Sequence, residues 1–241
     1  MITKNEIKLF RALRNKKHRD QEGLFVVEGL KVLLEIKASG LEVIKIFTTI
    51  PIDSLIADPQ VDISLKELKQ VSSFVSPHEM IALVRKPEKR EKLEQKGLII
   101  GLDNIQDPGN LGTILRSADW FGVEGIMCSH DTVDLYNPKV IQASMGGIAR
   151  QRVDFVDLLP RLKELKSTHR IFGASLTGSN VYELQWPENS VLLIGNEASG
   201  LGDKFDAVVD EYITIPNFGS LDSLNAAIAC SILCSEYKRQ H

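Results

Sequence analysis

The sequence predicts an α/β protein with a C-terminal, mostly parallel sheet covered by helices on both faces and a small N-terminal α/β domain. Three observations point there. After residue 97, short apolar runs alternate with helical segments, as buried parallel strands and their crossovers do. A charged stretch with a proline near its start, KPEKREKLEQKG (86–97), separates this region from an upstream segment of domain size. The charge balance also changes there: residues 1–97 hold 18 Lys+Arg against 14 Asp+Glu, and residues 98–241 hold 11 against 18.

From the N-terminus, the pattern reads as a basic helix over about 3–17, a strand LFVVEG (24–29) and a helix from Leu30 to Ala38. A β-rich stretch with LEVIKIFTT and MIALVRK completes this part. Residues 4–19 carry seven basic residues and one acid. That stripe reads either as a phosphate-binding footprint or as the solvated face of an amphipathic helix with Ile7, Phe10 and Leu13 turned inward. Past the linker, strands are expected at LIIGLD (98–103), GIMCS (125–129), RVDFV (152–156), RIFGAS (170–175), VLLIG (191–195) and EYITI (211–215). A last helix is expected over about 221–238. The domains are therefore 1–90 and 98–241.

Composition excludes several classes. An apolar fraction of 43% with 25% charge is that of a soluble globular protein. No run approaches the roughly 20 apolar residues of a membrane span, and MITKNEIKLFRALRNKK has no secretory-signal character. Three cysteines without C-x-x-C spacing speak against a disulfide framework or zinc site. Cys230 and Cys234 read as core packing, and a reducing cytoplasm is expected. The five histidines lack metal-ligand spacing. Neither G-x-S-x-G, G-x-G-x-x-G nor a P-loop is present.

Three constellations sit where strands end, the edge at which open α/β sheets bind ligands. In LDNIQDPGNLGTILRSADWFG (102–122), Asp107-Pro108-Gly109 signals a turn. Asn110 opens a helix whose buried face is Leu111, Ile114, Leu115 and Ala118, with Arg116 off that stripe. Asn110 reads as a plain N-cap or a functional amide, and Arg116 as a solvated charge or a ligand. In GNEASGLG (195–202), Glu197 stands among small residues and reads as a site carboxylate or a cap for the short helix that follows. In IPNFGSLDSLNAAIACSIL (215–233), Ser223 or Asp222 would cap the last helix, with Asn225 in its first turn.

In content, spacing and order, these motifs resemble those of the SpoU family of RNA ribose 2′-O-methyltransferases, within the SPOUT class. The segment KHRDQEGLFVVEGLKVLLEIKASG (17–40) is similar to the small RNA substrate-binding domain of many members. The resemblance implies a trefoil knot, an S-adenosylmethionine cofactor, a homodimer, and structured RNA as substrate, with rRNA favoured over tRNA. It assigns catalysis to Asn110, Arg116, Glu197, Ser223 and Asn225, and cofactor binding to Gly195, Ile215, Leu224 and Thr177. The sequence departs from the common pattern at Ala198-Ser199 and at Asn217-Phe218. Arginine is a poor free base because its pKa exceeds about 12, so Arg116 is expected to hold phosphate and the developing 2′-alkoxide. The alternatives are a tRNA ribose methyltransferase, a non-catalytic RNA-binding or assembly factor, and a base methyltransferase of the same knotted class.

Overall fold

The computed structural model describes residues 1–52, 55, 59–87 and 96–241, so most of the expected linker lies outside the described residues. The chain forms two compact units, Met1–Lys89 with Asp134–Arg150, and Arg90–Val133 with Gln151–His241.

The first unit contains α1 (Lys4–Ala12), α2 (Lys16–Glu22), β1 (Leu24–Glu28), α3 (Leu30–Ala38), β2 (Val43–Thr48), β3 (Gln60–Asp62), α4 (Leu65–Val71) and β4 (Met80–Arg85). Its sheet order is β1-β4-β2-β3, antiparallel except for the β2/β3 pair. The single basic helix expected over 3–17 is instead two helices. Leu13 closes α1, and Asn15 restarts the chain by accepting the Lys17 N–H at 2.9 Å. Phe10 and Leu13 are buried as expected, Ile7 only partly, and Phe10 meets Phe47 edge-on at 5.2 Å. β3 and α4 were not expected. α4 begins with a capping box in which Ser64 and Glu67 exchange bonds.

Residues 134–150 build α6 (Pro138–Ser144) and α7 (Gly147–Arg150) and pack within this first unit. Asp134 accepts the buried Arg19 guanidinium at 2.5 Å, the Tyr136 ring packs tilted against Phe25 at 4.9 Å, and Arg150 pairs with Glu35.

The second unit holds a six-stranded sheet, order β10-β8-β9-β5-β6-β7, with every pairing parallel. Its strands are β5 (Leu98–Leu102), β6 (Gly125–Cys128), β7 (Val153–Phe155), β8 (Arg170–Asn180), β9 (Ser190–Ile194) and β10 (Glu211–Thr214), interleaved with α5 (Pro108–Trp120), α8 (Leu158–Leu165) and the closing α9 (Ala226–Gln240). Ile99, Met127, Ile171, Val191 and Leu193 pack with Leu158, Leu162 and Leu165 of α8. Their alternates Ile100, Ile126, Phe172 and Leu192 are equally buried. Strand side chains alternate between faces, so both faces are covered. On the second face, Trp186 bridges Phe172 and Tyr237 of α9 at 4.7 and 5.8 Å. Cys230 and Cys234 are buried in α9; the neighbouring Cys234, then burial, push the Cys230 thiol up, leaving it inert.

β8 runs five residues past its expected end. Tyr212 pairs with Gly173 but Ile213 pairs with Ser179, so residues 174–178 loop out of the ladder. Gly178 (φ 154°) allows this, since a Cβ there would strike the Tyr212 carbonyl.

Candidate active site

The C-terminal ends of the adjacent strands β8, β9 and β5, with β10 beside β8, carry the loops that hold the sequence motifs. After β5, Asp103 continues the ladder by donating its N–H to the Ile194 carbonyl at 2.9 Å. Asn104 then turns into the left-handed region (φ 57°) and donates its N–H to Ser129 Oγ at 2.8 Å. Asp107 is the N-cap of α5 and accepts the Asn110 N–H at 2.8 Å; Pro108 is the first helical residue. Asn110 is thus the third residue of the helix and not its cap, and its side chain is free for other bonds.

After β9, the loop folds back on itself through an Asn196–Gly200 bridge. A Cβ at Gly195 would run into the backbone of Gly200 and Leu201, so only glycine permits the fold-back. Asn196 Oδ1 accepts the N–H groups of Ala198 and Ser199 at 2.9 and 3.3 Å, and its Nδ2 donates to the Asn104 carbonyl at 2.9 Å. Glu197 does not cap the short helix that follows, Asp203–Phe205, which has Gly202 at its N-cap and no side-chain cap. Lys204 pairs with Asp103 at 3.0 Å and ties down the far end of the loop. Burial, then its 2.6 Å bond to Asp206, push the Tyr212 phenol up to about 12, so it stays a neutral donor.

After β10, residues 217–225 are exposed throughout. The residue that caps α9 is Asn225, which accepts the N–H groups of Ala227 and Ile228 at 2.9 and 3.3 Å. Ser223 and Asp222, the expected caps, lie upstream of the helix start. Asn225 also makes a second bond, through its amide nitrogen.

That second bond joins the three motifs. Asn225 Nδ2 donates to Asn110 Oδ1 at 2.8 Å, and Asn110 Nδ2 donates to Glu197 Oε1. The direction is fixed from one end to the other. With the Asn225 oxygen engaged by the α9 amides, its NH2 must face Asn110. The Asn110 oxygen is thereby taken and its NH2 must face the carboxylate. Glu197 is exposed, leaving its other oxygen open to a ligand.

The remaining candidates stand outside this chain of bonds. Arg116 is exposed and makes no hydrogen bond or ion pair among the described residues. Six residues along α5 place it about 9 Å further down the axis and about 120° around from Asn110. Ser223 is exposed and likewise unbonded among the described residues. Thr177 lies in the looped-out part of β8 and donates its N–H to Ser175 Oγ at 3.2 Å. Thr214, next to the partly buried Ile215, ties that loop to β10 through the Leu176 carbonyl at 3.2 Å. Leu224 is half exposed beside Asn225. Sequence reasoning missed the clamp between the first two loops, Asn196 Nδ2 on the Asn104 carbonyl, and read Asp107 as a turn residue without its role as the α5 cap. The signal was the taste of Asn and Asp for turns and left-handed backbone.

These loops share a chemistry. Residues 174–178, 195–202 and 215–225 contain no Lys or Arg; their charged groups are Glu197 and Asp222. Open backbone, small residues and the exposed Leu176 and Leu224 suit a neutral or cationic ligand and offer nothing to a triphosphate. The C-terminal unit is a parallel α/β unit with a composite site at the carboxyl ends of its strands. Residues 97–235 match the SpoU rRNA Methylase family, and residues 4–82 match an MRM3-like substrate binding domain. The chain belongs to the SpoU rRNA methylase family. It is 30% identical to the 23S rRNA (guanosine(2553)-2′-O)-methyltransferase RlmP of Bacillus subtilis over 95% of this chain and 94% of that one. It is also similar to the SpoU methyltransferase AviRb from Streptomyces viridochromogenes in complex with AdoMet (TM-score 0.86, 25% identity, covering 99% and 98%). An AdoMet-bound rRNA methyltransferase from Sinorhizobium meliloti gives a TM-score of 0.86 at 25% identity, covering 99% and 96%. No helix among the described residues is long and apolar enough to cross a membrane.

Proposed function

We propose that the protein moves a methyl group from S-adenosylmethionine to the 2′-hydroxyl of a ribose in ribosomal RNA, acting in the cytoplasm. The observation that carries this reading is the Asn225–Asn110–Glu197 chain of hydrogen bonds, which brings one residue from each motif together. The activities of the relatives favour rRNA over tRNA.

The loops fit the cofactor by their chemistry. Gly195, Ile215 and Leu224 would hold it mainly through backbone, with Thr177 at the neighbouring loop. The absence of basic side chains in these loops suits a ligand that carries a positive sulfonium and no phosphate. Bound there, S-adenosylmethionine supplies an activated methyl for in-line displacement, and the protein supplies position and electrostatics. Glu197, its orientation set by Asn110, orients the acceptor ribose through its open oxygen. Arg116 holds the phosphate and stabilises charge as it develops on the 2′-oxygen, and Ser223 contacts RNA at the loop.

Arg116 lies about 120° around α5 from Asn110; in a homodimer formed through the C-terminal unit, Arg116 of the partner subunit would complete the site. A trefoil knot in residues 98–241 would hold the glycine turns around one cofactor. Residues 1–90 form the RNA substrate-binding domain, with the exposed Lys4, Lys8, Arg11, Lys16 and Lys17 as its phosphate-facing residues. Arg14 and Arg19 of the same stripe are spent on structure, bonding Ser72 and Asp134.

The test is tritiated methyl transfer to unmodified 23S rRNA transcripts. Wild type should label ribose, and Arg116→Ala should abolish transfer while leaving S-adenosylmethionine binding by calorimetry nearly intact. Label on a base, or none on rRNA, refutes the reading; wild-type turnover by the variant refutes the role of Arg116.

A further inference from the structure

We propose that Phe218 is a stacking platform for an unpaired RNA base beside the target nucleotide. This rests on the reading of the protein as an RNA ribose methyltransferase. Phe218 is 94% exposed, and it sits in the loop that leads from the end of β10 to Asn225. Its turn is held rigid by one side chain. Asn217 Oδ1 accepts the Gly219 N–H at 2.8 Å, and Asn217 Nδ2 donates to the Leu221 carbonyl at 2.7 Å. The phenyl ring is therefore presented to solvent on a pre-organised turn, with Leu221 (76% exposed) near it in the same loop. Pre-organisation removes the ordering cost that a flexible aromatic would incur on binding.

The charge of the loop decides what the ring can take. Residues 216–225, PNFGSLDSLN, contain no cation and one acid, Asp222. Such a loop repels phosphate and cannot grip the RNA backbone by charge. What it offers is an aromatic face, and single-stranded bases are recognised by stacking on such faces. Stacking is tolerant of base identity, so Phe218 contributes affinity and placement for a splayed neighbouring nucleotide while Glu197 and Arg116 engage the ribose and phosphate of the target. The same exposed ring could also cover the cofactor or pack on a second copy of the chain, and the measurements separate these.

The full-length protein, Phe218→Ala and Phe218→Trp are compared in three assays: anisotropy with a fluorescent single-stranded oligoribonucleotide, calorimetry with S-adenosylmethionine, and methyl transfer to a 23S rRNA transcript. Phe218→Ala should weaken oligoribonucleotide binding about 5- to 100-fold, raise KM for RNA and leave kcat near wild type. Cofactor affinity should not change, and Phe218→Trp should restore RNA binding. Unchanged RNA affinity in Phe218→Ala, a loss of cofactor affinity, or dissociation of the oligomer overturns the proposal. If wild type methylates no RNA, the functional reading fails on its own; the binding assay still tests Phe218.

Discussion

Asn225→Asp separates the two roles of one side chain. As a cap, Asn225 offers an oxygen to the Ala227 and Ile228 N–H groups; as a donor, it gives an N–H to Asn110 at 2.8 Å. Aspartate caps a helix as well as asparagine does, and its charge at a helix N-terminus adds about 0.3–1 kcal/mol. It has no N–H to give. Asn110 would then face a carboxylate with its oxygen, or turn over and set that oxygen against Glu197. Either way one bond in the chain becomes an oxygen–oxygen contact. A hydrogen bond to a charged group contributes about 1.5–3 kcal/mol, which corresponds to about 10- to 100-fold in turnover if Glu197 must be held through the transition state. Asn225→Asp should melt within about 2 °C of wild type, whereas Asn225→Ala loses a cap of about 1 kcal/mol and roughly 3 °C. Scanning calorimetry beside methyl-transfer kinetics makes the comparison. An Asn225→Asp protein that melts like wild type and turns over at the wild-type rate would show that the direction of the amide chain does not matter.

Two further outcomes follow from buried charge. Arg19 is 3% exposed and spends its donors on Asp134, Leu13 and Arg14. Asp134→Ala leaves that guanidinium short of its counter-charge and should cost about 3–5 kcal/mol, read as a lowered urea midpoint; a loss below about 1 kcal/mol would mean that water compensates. His169 is buried with Nε2 unbonded among the described residues, and burial, then the charge of Arg161, hold its pKa below the ordinary value near 6.5. The unfolded chain takes up that proton first, so stability is full above pH 6.5 and falls as pH drops below it, by at most about 1.4 kcal/mol per pH unit. His169→Gln should flatten the change in urea midpoint between pH 7.5 and 5.5, and an unchanged slope would refute the assignment.

The six strands of the C-terminal unit were legible because parallel strands buried on both faces read as unbroken apolar runs, as in LIIGL and SVLLI. The tail of β8 was not, because LTGSN is polar and is held by pairing with β10. The break between α1 and α2 and the helix α4 carried local signals in Asn15 and in Ser64 with Glu67. The motif residues themselves could be picked out, but their jobs could not. Asp107 and Asn110, and again Asp222, Ser223 and Asn225, are rival caps within a few positions. Only the partners across 87 and 115 residues of chain decide which amide caps and which one bonds elsewhere. Nor does any local pattern announce that residues 134–150 pack with the N-terminal unit.

That last feature bears on how the protein is made. The N-terminal unit is not finished when its own stretch of chain leaves the ribosome, because the counter-charge for Arg19 and the ring that packs on Phe25 arrive with Asp134 and Tyr136. At synthesis rates of about 5–20 residues per second, the stretch between Lys89 and Asp134 takes roughly 2–9 seconds to make, during which Arg19 has no counter-charge. The order of translation therefore obliges the N-terminal unit to close only after the C-terminal half is already emerging, and a fragment cut at the linker is an incomplete fold rather than an independent domain.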